Sequence, residues 1–258
     1  MHSKAVPAGL QRVFADGALL IVIVIWWASA RHLPAFVLPG PVQVIEAMSQ
    51  FVFDPGLAYH AAISFLRVIA SVVIAMSLAL AIAGAVRAAP ILDEVVERRI
   101  LTFLNSFPSV GWAILAVVWF KISSATVLFI QTAIVLPFCI INVLAGFRQI
   151  DPDLDEMGLS LTRSTLRRFF KLTLPLVAPF LVAGLRVGYG ICWKIALVSE
   201  LFGASSGMGY LLQRAQTVSD APMVFACCLV IVIIFGVTDF LFLKPLARQF
   251  SVNRDNTS

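Results

Sequence analysis

The sequence predicts an all-α fold, a polytopic membrane helical bundle of about six transmembrane helices, and three observations predict it. Hydrophobic residues make up 60% of the 258-residue chain and charged residues only 13%, with a mean hydropathy of +0.96. A water-soluble fold of that composition would have to expose too much apolar surface. Six windows of roughly 17 to 25 mostly apolar residues are each long enough to cross a bilayer: Val13–Ala30, Ala61–Val86, Ile100–Phe120, Ala125–Phe147, Leu174–Val198 and Pro222–Leu243. Their apolar runs are continuous, whereas a membrane barrel reads as short alternating segments. The whole chain, residues 1–258, is expected to form one membrane domain.

The first window follows Lys4 and Arg12 and ends at Ala28-Ser29-Ala30, a pattern that mimics a cleavable secretory signal. The bulky Trp26-Trp27 pair before the cleavage point argues for retention as a helix. Leu38-Pro39-Gly40-Pro41, followed by Val44 and Ala47, predicts a turn feeding a short external helix, because proline suits a first helical turn.

In the second window Ala75, Ala79 and Ala83 recur at every fourth position, a small-residue stripe that lets helices approach. Arg67 lies near its outer end, where it is expected to snorkel towards the headgroups. The third window contains Asn105-Ser106-Phe107-Pro108 and the fourth contains Pro137; both prolines predict bends.

Glu156 to Pro175 is a polar, helix-forming loop that carries Arg163, Arg167, Arg168 and Lys171. The need to keep cations on one face of the membrane explains those charges. It leaves Met157, Leu161 and Leu166 unexplained; with Thr165 they form an amphipathic face that wants a partner or a membrane surface.

The fifth window holds the most informative chemistry. Arg186, Gly190, Trp193, Leu197 and Glu200 recur at helical spacing and share one face. At a rise of about 1.5 Å per residue, Arg186 lies roughly 16 Å beyond Pro175, near mid-membrane. A cation there costs at least about 2.5 to 3.5 kcal/mol, so it should face the bundle interior or water. Path lining and helix locking are both open for Arg186; a structural or gating role is favoured for Glu200. Lys194, on a neighbouring face, is the better candidate for solute specificity. Gly184 and Gly188 permit close helix approach in the same window.

Charge asymmetry predicts the orientation. With a cytoplasmic N-terminus, Lys4, Arg12, Arg87, Arg98, Arg99, Arg148, the loop cations, Lys244, Arg248 and Arg254 all fall inside, whereas the outside segments hold Arg31, Lys121 and Arg214. Both termini are then cytoplasmic. The net charge of +5 is therefore a topology signal and implies no nucleic-acid partner. Cys139, Cys192, Cys227 and Cys228 lie inside windows without ligand spacing, and His2, His32 and His60 are isolated, so no metal or other cofactor is expected. No phosphate-binding loop is present. The chain is not expected to be an enzyme.

From Leu38-Pro39 to Leu246 the chain resembles the permease subunits of binding-protein-dependent ABC importers for nitrate, sulfonates, taurine and related solutes. The resemblance rests on Leu38-Pro39-x-Pro41, His60 to Ser64 with Arg67, Trp119-Phe120, Asn142-x-x-x-Gly146, Glu156, Leu174-Pro175 with Pro179, Gly184-Leu185-Arg186, Trp193, Glu200 and Gly207-x-Gly209. It implies a type I ABC importer permease fold in the bacterial cytoplasmic (inner) membrane, working as a permease homodimer with two cytoplasmic ATPase subunits and an external solute-binding protein. ATP hydrolysis would belong to the separate ATPase. Within a cytoplasmic loop at about 148–173, Glu156, Met157, Gly158, Leu161, Thr162, Arg163, Thr165 and Leu166 would form the ATPase-coupling helix, and Arg186, Trp193, Lys194 and Glu200 would line or gate the path.

This loop departs from the family pattern at Met157-Gly158, where Ala-Ala is usual, and at Thr162, where a glycine is usual. A β-branched Thr resists positive φ, so the coupling helix is expected to run on or bend differently. The solute expected is an anion or zwitterion such as a sulfonate, taurine or nitrate; the alternative is a neutral vitamin or pyrimidine precursor. A stand-alone secondary transporter would want inverted repeats, which the chain does not show.

Overall fold

A computed structural model describes residues 8–162 and 164–255, and the regular elements among them are all helical. In chain order these are α1 (Ala8–Ala30), α2 (Pro41–Phe53), α3 (Pro55–Ala88), α4 (Ile91–Ser106), α5 (Ser109–Phe120), α6 (Ser124–Arg148), α7 (Pro152–Leu161), α8 (Thr165–Gly203), α9 (Met208–Thr217) and α10 (Ala221–Gln249). Single π-helical turns interrupt α4 at Val96–Leu101, α8 at Phe169–Thr173 and α10 at Asp239–Leu243.

Among the described residues α3, α6, α8 and α10 are long and apolar enough to cross a membrane, and α4 with α5 reaches that length and apolarity only as a pair, a broken span or a re-entrant loop. The first expected span falls on α1, whose apolar stretch, Leu20–Ala30, is shorter than those four. The third expected span, Ile100–Phe120, is not one helix: α4 and α5 are bent by 85°. Phe107 is extended (φ −77°, ψ 126°), because a residue before proline is driven out of the helical region and Pro108 has no N–H to continue the ladder. Pro137 and Pro179, by contrast, sit inside α6 and α8 without ending them.

The contacts divide the chain into two compact units. One comprises residues 8–58 with Leu211–Val230. Within it the Trp26 indole N–H donates to the Pro39 carbonyl at 3.0 Å and the Trp26 ring stacks on Phe225 at 6.2 Å. Pro41 opens α2 as the turn chemistry predicts, and Val44 and Ala47 are buried.

The other unit comprises Tyr59–Tyr210 with residues 231–255. Its core is the seam of α6 and α8, closed against α3. A Cβ on Gly184 would lie 3.0 Å from Asn142 and 3.1 Å from Met76, and one on Gly188 3.0 Å from Val135. The two glycines thus serve packing inside this chain. Ala75, Ala79 and Ala83 are all buried. Without a hydrophobic drive between helices in lipid, such close packing and interhelical hydrogen bonds supply the association. Gln131 of α6 provides both kinds of bond: Ser71 of α3 donates to its Oε1 at 2.9 Å, and its Nε2 donates to Ser199 of α8 at 3.1 Å.

Candidate functional site

At the C-terminal end of α8 the chain turns through residues 204–207 into α9, and a buried polar cluster holds that turn. Glu200 is fully buried. Its carboxylate accepts from Ser64 Oγ at 2.7 Å, from Arg67 Nη1 at 3.0 Å and from the Gly209 N–H at 3.0 Å. Arg67 also donates to the Ser206 carbonyl at 2.6 Å and to Ser124 Oγ and Ser206 Oγ, each at 2.9 Å. The Met208 N–H donates to Ser64 Oγ at 2.8 Å and the Gly207 N–H to His60 Nδ1 at 2.9 Å, while His60 stacks on Tyr210. Gly207 has φ +112°, a conformation L side chains rarely adopt, and a Cβ there would collide with the Glu200 carboxylate. Segment, carboxylate and guanidinium are thus one built unit.

Arg67 is therefore not a snorkelling residue: only 5% of its side chain is exposed. A carboxylate this deep requires a cation and hydrogen bonds, and α3 presents both from one face. The spacing of His60, Ser64 and Arg67 was the available signal. Sequence reasoning placed these residues in a motif without seeing that they meet Glu200.

Arg186 and Glu200 share a face of α8, but the structure pairs them with different helices. Arg186 donates through Nε to Asp239 Oδ1 at 3.1 Å and through Nη2 to Oδ2 at 3.4 Å; Lys244 Nζ lies 3.7 Å from the same carboxylate. Asp239 is the partner that the sequence did not reveal, because it lies 53 residues away. Trp193 is buried and packs edge-on to Tyr189, its indole nitrogen lacking a partner among the described residues. Lys194 is exposed.

The third cluster is the loop helix α7. Asp151 caps it, its carboxylate accepting from the Asp153 N–H at 3.0 Å, and Pro152 opens it. Thr162 ends it in an extended conformation (φ −156°, ψ 133°), so the helix neither runs on nor needs a positive φ. The Thr162 hydroxyl accepts from the Ser164 N–H at 3.3 Å, and Ser164 Oγ in turn accepts from the Arg167 N–H at 3.4 Å. Gly158 is buried where α7 crosses the start of α8: a Cβ there would lie 2.6 Å from Leu172. Glu156 and Thr165 are exposed, as are Met157 (47%), Leu161 (76%) and Leu166 (72%). Arg163 lies outside the described residues.

Chemically, these clusters hold, anchor and present. Among the described residues no group of three or more His, Cys, Asp or Glu is placed to hold a metal ion.

Residues 71–244 match the family model described as the inner membrane component of binding-protein-dependent transport systems. The chain is 27% identical over 267 residues to the taurine transport system permease protein of Escherichia coli, covering 97% of this chain and 94% of that one. It is 26% identical over 234 residues to the formylaminopyrimidine transport permease protein of Halalkalibacterium halodurans, with 88% and 90% covered. It is 23% identical over 207 residues to the nitrate import permease protein of Synechococcus elongatus, with 76% and 74% covered.

Proposed function

The chain belongs to the family of binding-protein-dependent transport system inner membrane components, and from that premise we propose that it forms the translocation path of an ATP-driven importer for a small anion or zwitterion such as a sulfonate, taurine or nitrate. It does so as a homodimer, with both termini cytoplasmic, two cytoplasmic ATPase subunits on its loops and an external solute-binding protein delivering the solute. The observation that carries this reading is the exposure of Met157 and Leu161 on a short capped helix in a basic loop, with Leu166 also exposed at the start of α8. Apolar side chains presented on such a helix are the footprint of a groove in a partner.

An anionic solute is favoured by charge. Of the two cations in the expected fifth window, Arg186 is neutralised by Asp239, and the exposed Lys194 is the one available to a solute. The second reading, a neutral pyrimidine precursor, draws on the similarity to the formylaminopyrimidine permease.

The test is purification of the chain expressed with its candidate ATPase and binding protein, followed by uptake into proteoliposomes. Retention of the ATPase and ATP-dependent uptake of taurine, a sulfonate or nitrate support the proposal. ATP-independent uptake by the chain alone overturns it.

A further inference from the structure

Arg148 is the last residue of α6, and its guanidinium makes a two-pronged bridge to α4. Nη2 donates to Asp93 Oδ1 and Oδ2 at 2.7 and 2.9 Å, and Nη1 donates to Glu97 Oε1 at 2.6 Å. Asp93 and Glu97 stand one helical turn apart, so their carboxylates face the same way. The planar fork of arginine suits such a double grip.

The position of this bridge gives it meaning. On one side Arg148 is followed by a tight turn, with Gln149 N donating to Gly146 O and Ile150 N to Phe147 O, both at 3.3 Å. Asp151 then caps α7, the proposed docking helix. On the other side Asp93 and Glu97 belong to α4, whose far end is the 85° break into α5. Helix α5 in turn buries Ala113 and Ala116 against Ile130 of α6, with Ile195 of α8 packed on the same cluster. A displacement of α7 thus has a continuous physical route, through one guanidinium and a helix, to the break in the third span and the core beyond it.

We propose that Arg148 is a positioning residue for transport, a strut through which movement of the docking helix is transmitted to α4 and so to α5. The proposal rests on the importer reading of the chain. All three side chains are roughly half exposed, and exposed ion pairs contribute little to stability. Removing the strut therefore leaves the fold intact and acts on coupling.

The experiment uses the complete importer in proteoliposomes and measures ATPase retention, ATP hydrolysis and solute uptake together. Arg148→Gln, and separately Asp93→Asn with Glu97→Gln, are expected to retain the ATPase while the ratio of uptake to hydrolysis falls about fivefold or more, the lower end of coupling between distant sites. Arg148→Glu combined with Asp93→Lys and Glu97→Lys restores the bridge with reversed charge, and recovery of the ratio supports the strut. An unchanged ratio in Arg148→Gln overturns the strut alone. A correctly inserted charge-reversed chain that recovers nothing overturns it too. Failure of the unaltered chain to retain any ATPase removes the importer reading and the strut together.

Discussion

Arg67 and Glu200, separated by 133 residues, form a buried ion pair with Nη1 3.0 Å from Oε1, and the same two side chains hold the turn after α8 and the first turn of α9. Arg67 grips Ser206 and Glu200 grips Gly209. The pair fastens α3 to the turn as well as to α8.

Removing one member of such a pair leaves an uncompensated charge. Arg67→Met should destabilise the protein by about 3–5 kcal/mol. Joint replacement of Arg67 and Glu200 by Met should cost less than the two single changes added together. Unfolding titrations in mixed micelles measure both, and additive losses would show that the pair is not coupled.

Gly207→Ala should cost about 1–3 kcal/mol from backbone strain, with a further loss from collision with the Glu200 carboxylate. Gly84→Ala is the control: a Cβ there meets nothing within 4 Å, and alanine is the better helix former. Thermal unfolding of the two variants in detergent should separate them clearly.

On α7, the proposed docking helix, Leu161→Asp should weaken ATPase binding by about 2 kcal/mol, roughly 30-fold, if Leu161 is an apolar anchor in the ATPase groove. Glu156→Lys should weaken binding in the same direction. Pull-down from matched membranes reads both. Full recruitment by each variant would move the docking surface elsewhere.

Topology can be read with single cysteines. Ser164 of the loop should label only from the cytoplasm and Ser205 only from outside. Ser205 is the better outer probe because Ser206 is tied to Arg67, whereas Ser205 is exposed. Reversed accessibility would invert the orientation.

Lys194→Met preserves side-chain length and removes the charge. If Lys194 meets the solute, uptake of an anion should fall roughly tenfold, about 1.4 kcal/mol of lost interaction, while stimulation of the ATPase by loaded binding protein persists. Unchanged uptake in the same reconstituted complex would remove Lys194 from the path.

The sequence by itself determined the all-helical membrane class, the positions of α3, α6, α8 and α10 and the presence of unusual charges in α8. Those features are local: a run of apolar residues and a repeat of small residues each act within a few turns of one helix. The tertiary structure alone decided the partners. Glu200 meets α3 while Arg186 meets α10, although both lie on one face of α8, because side-chain length, helix crossing and depth select the neighbour at each level. It also decided that Pro108 breaks its span while Pro137 and Pro179 do not. A proline removes one hydrogen bond anywhere along a helix, and surrounding helices determine whether the freed groups are satisfied in place or the chain turns away.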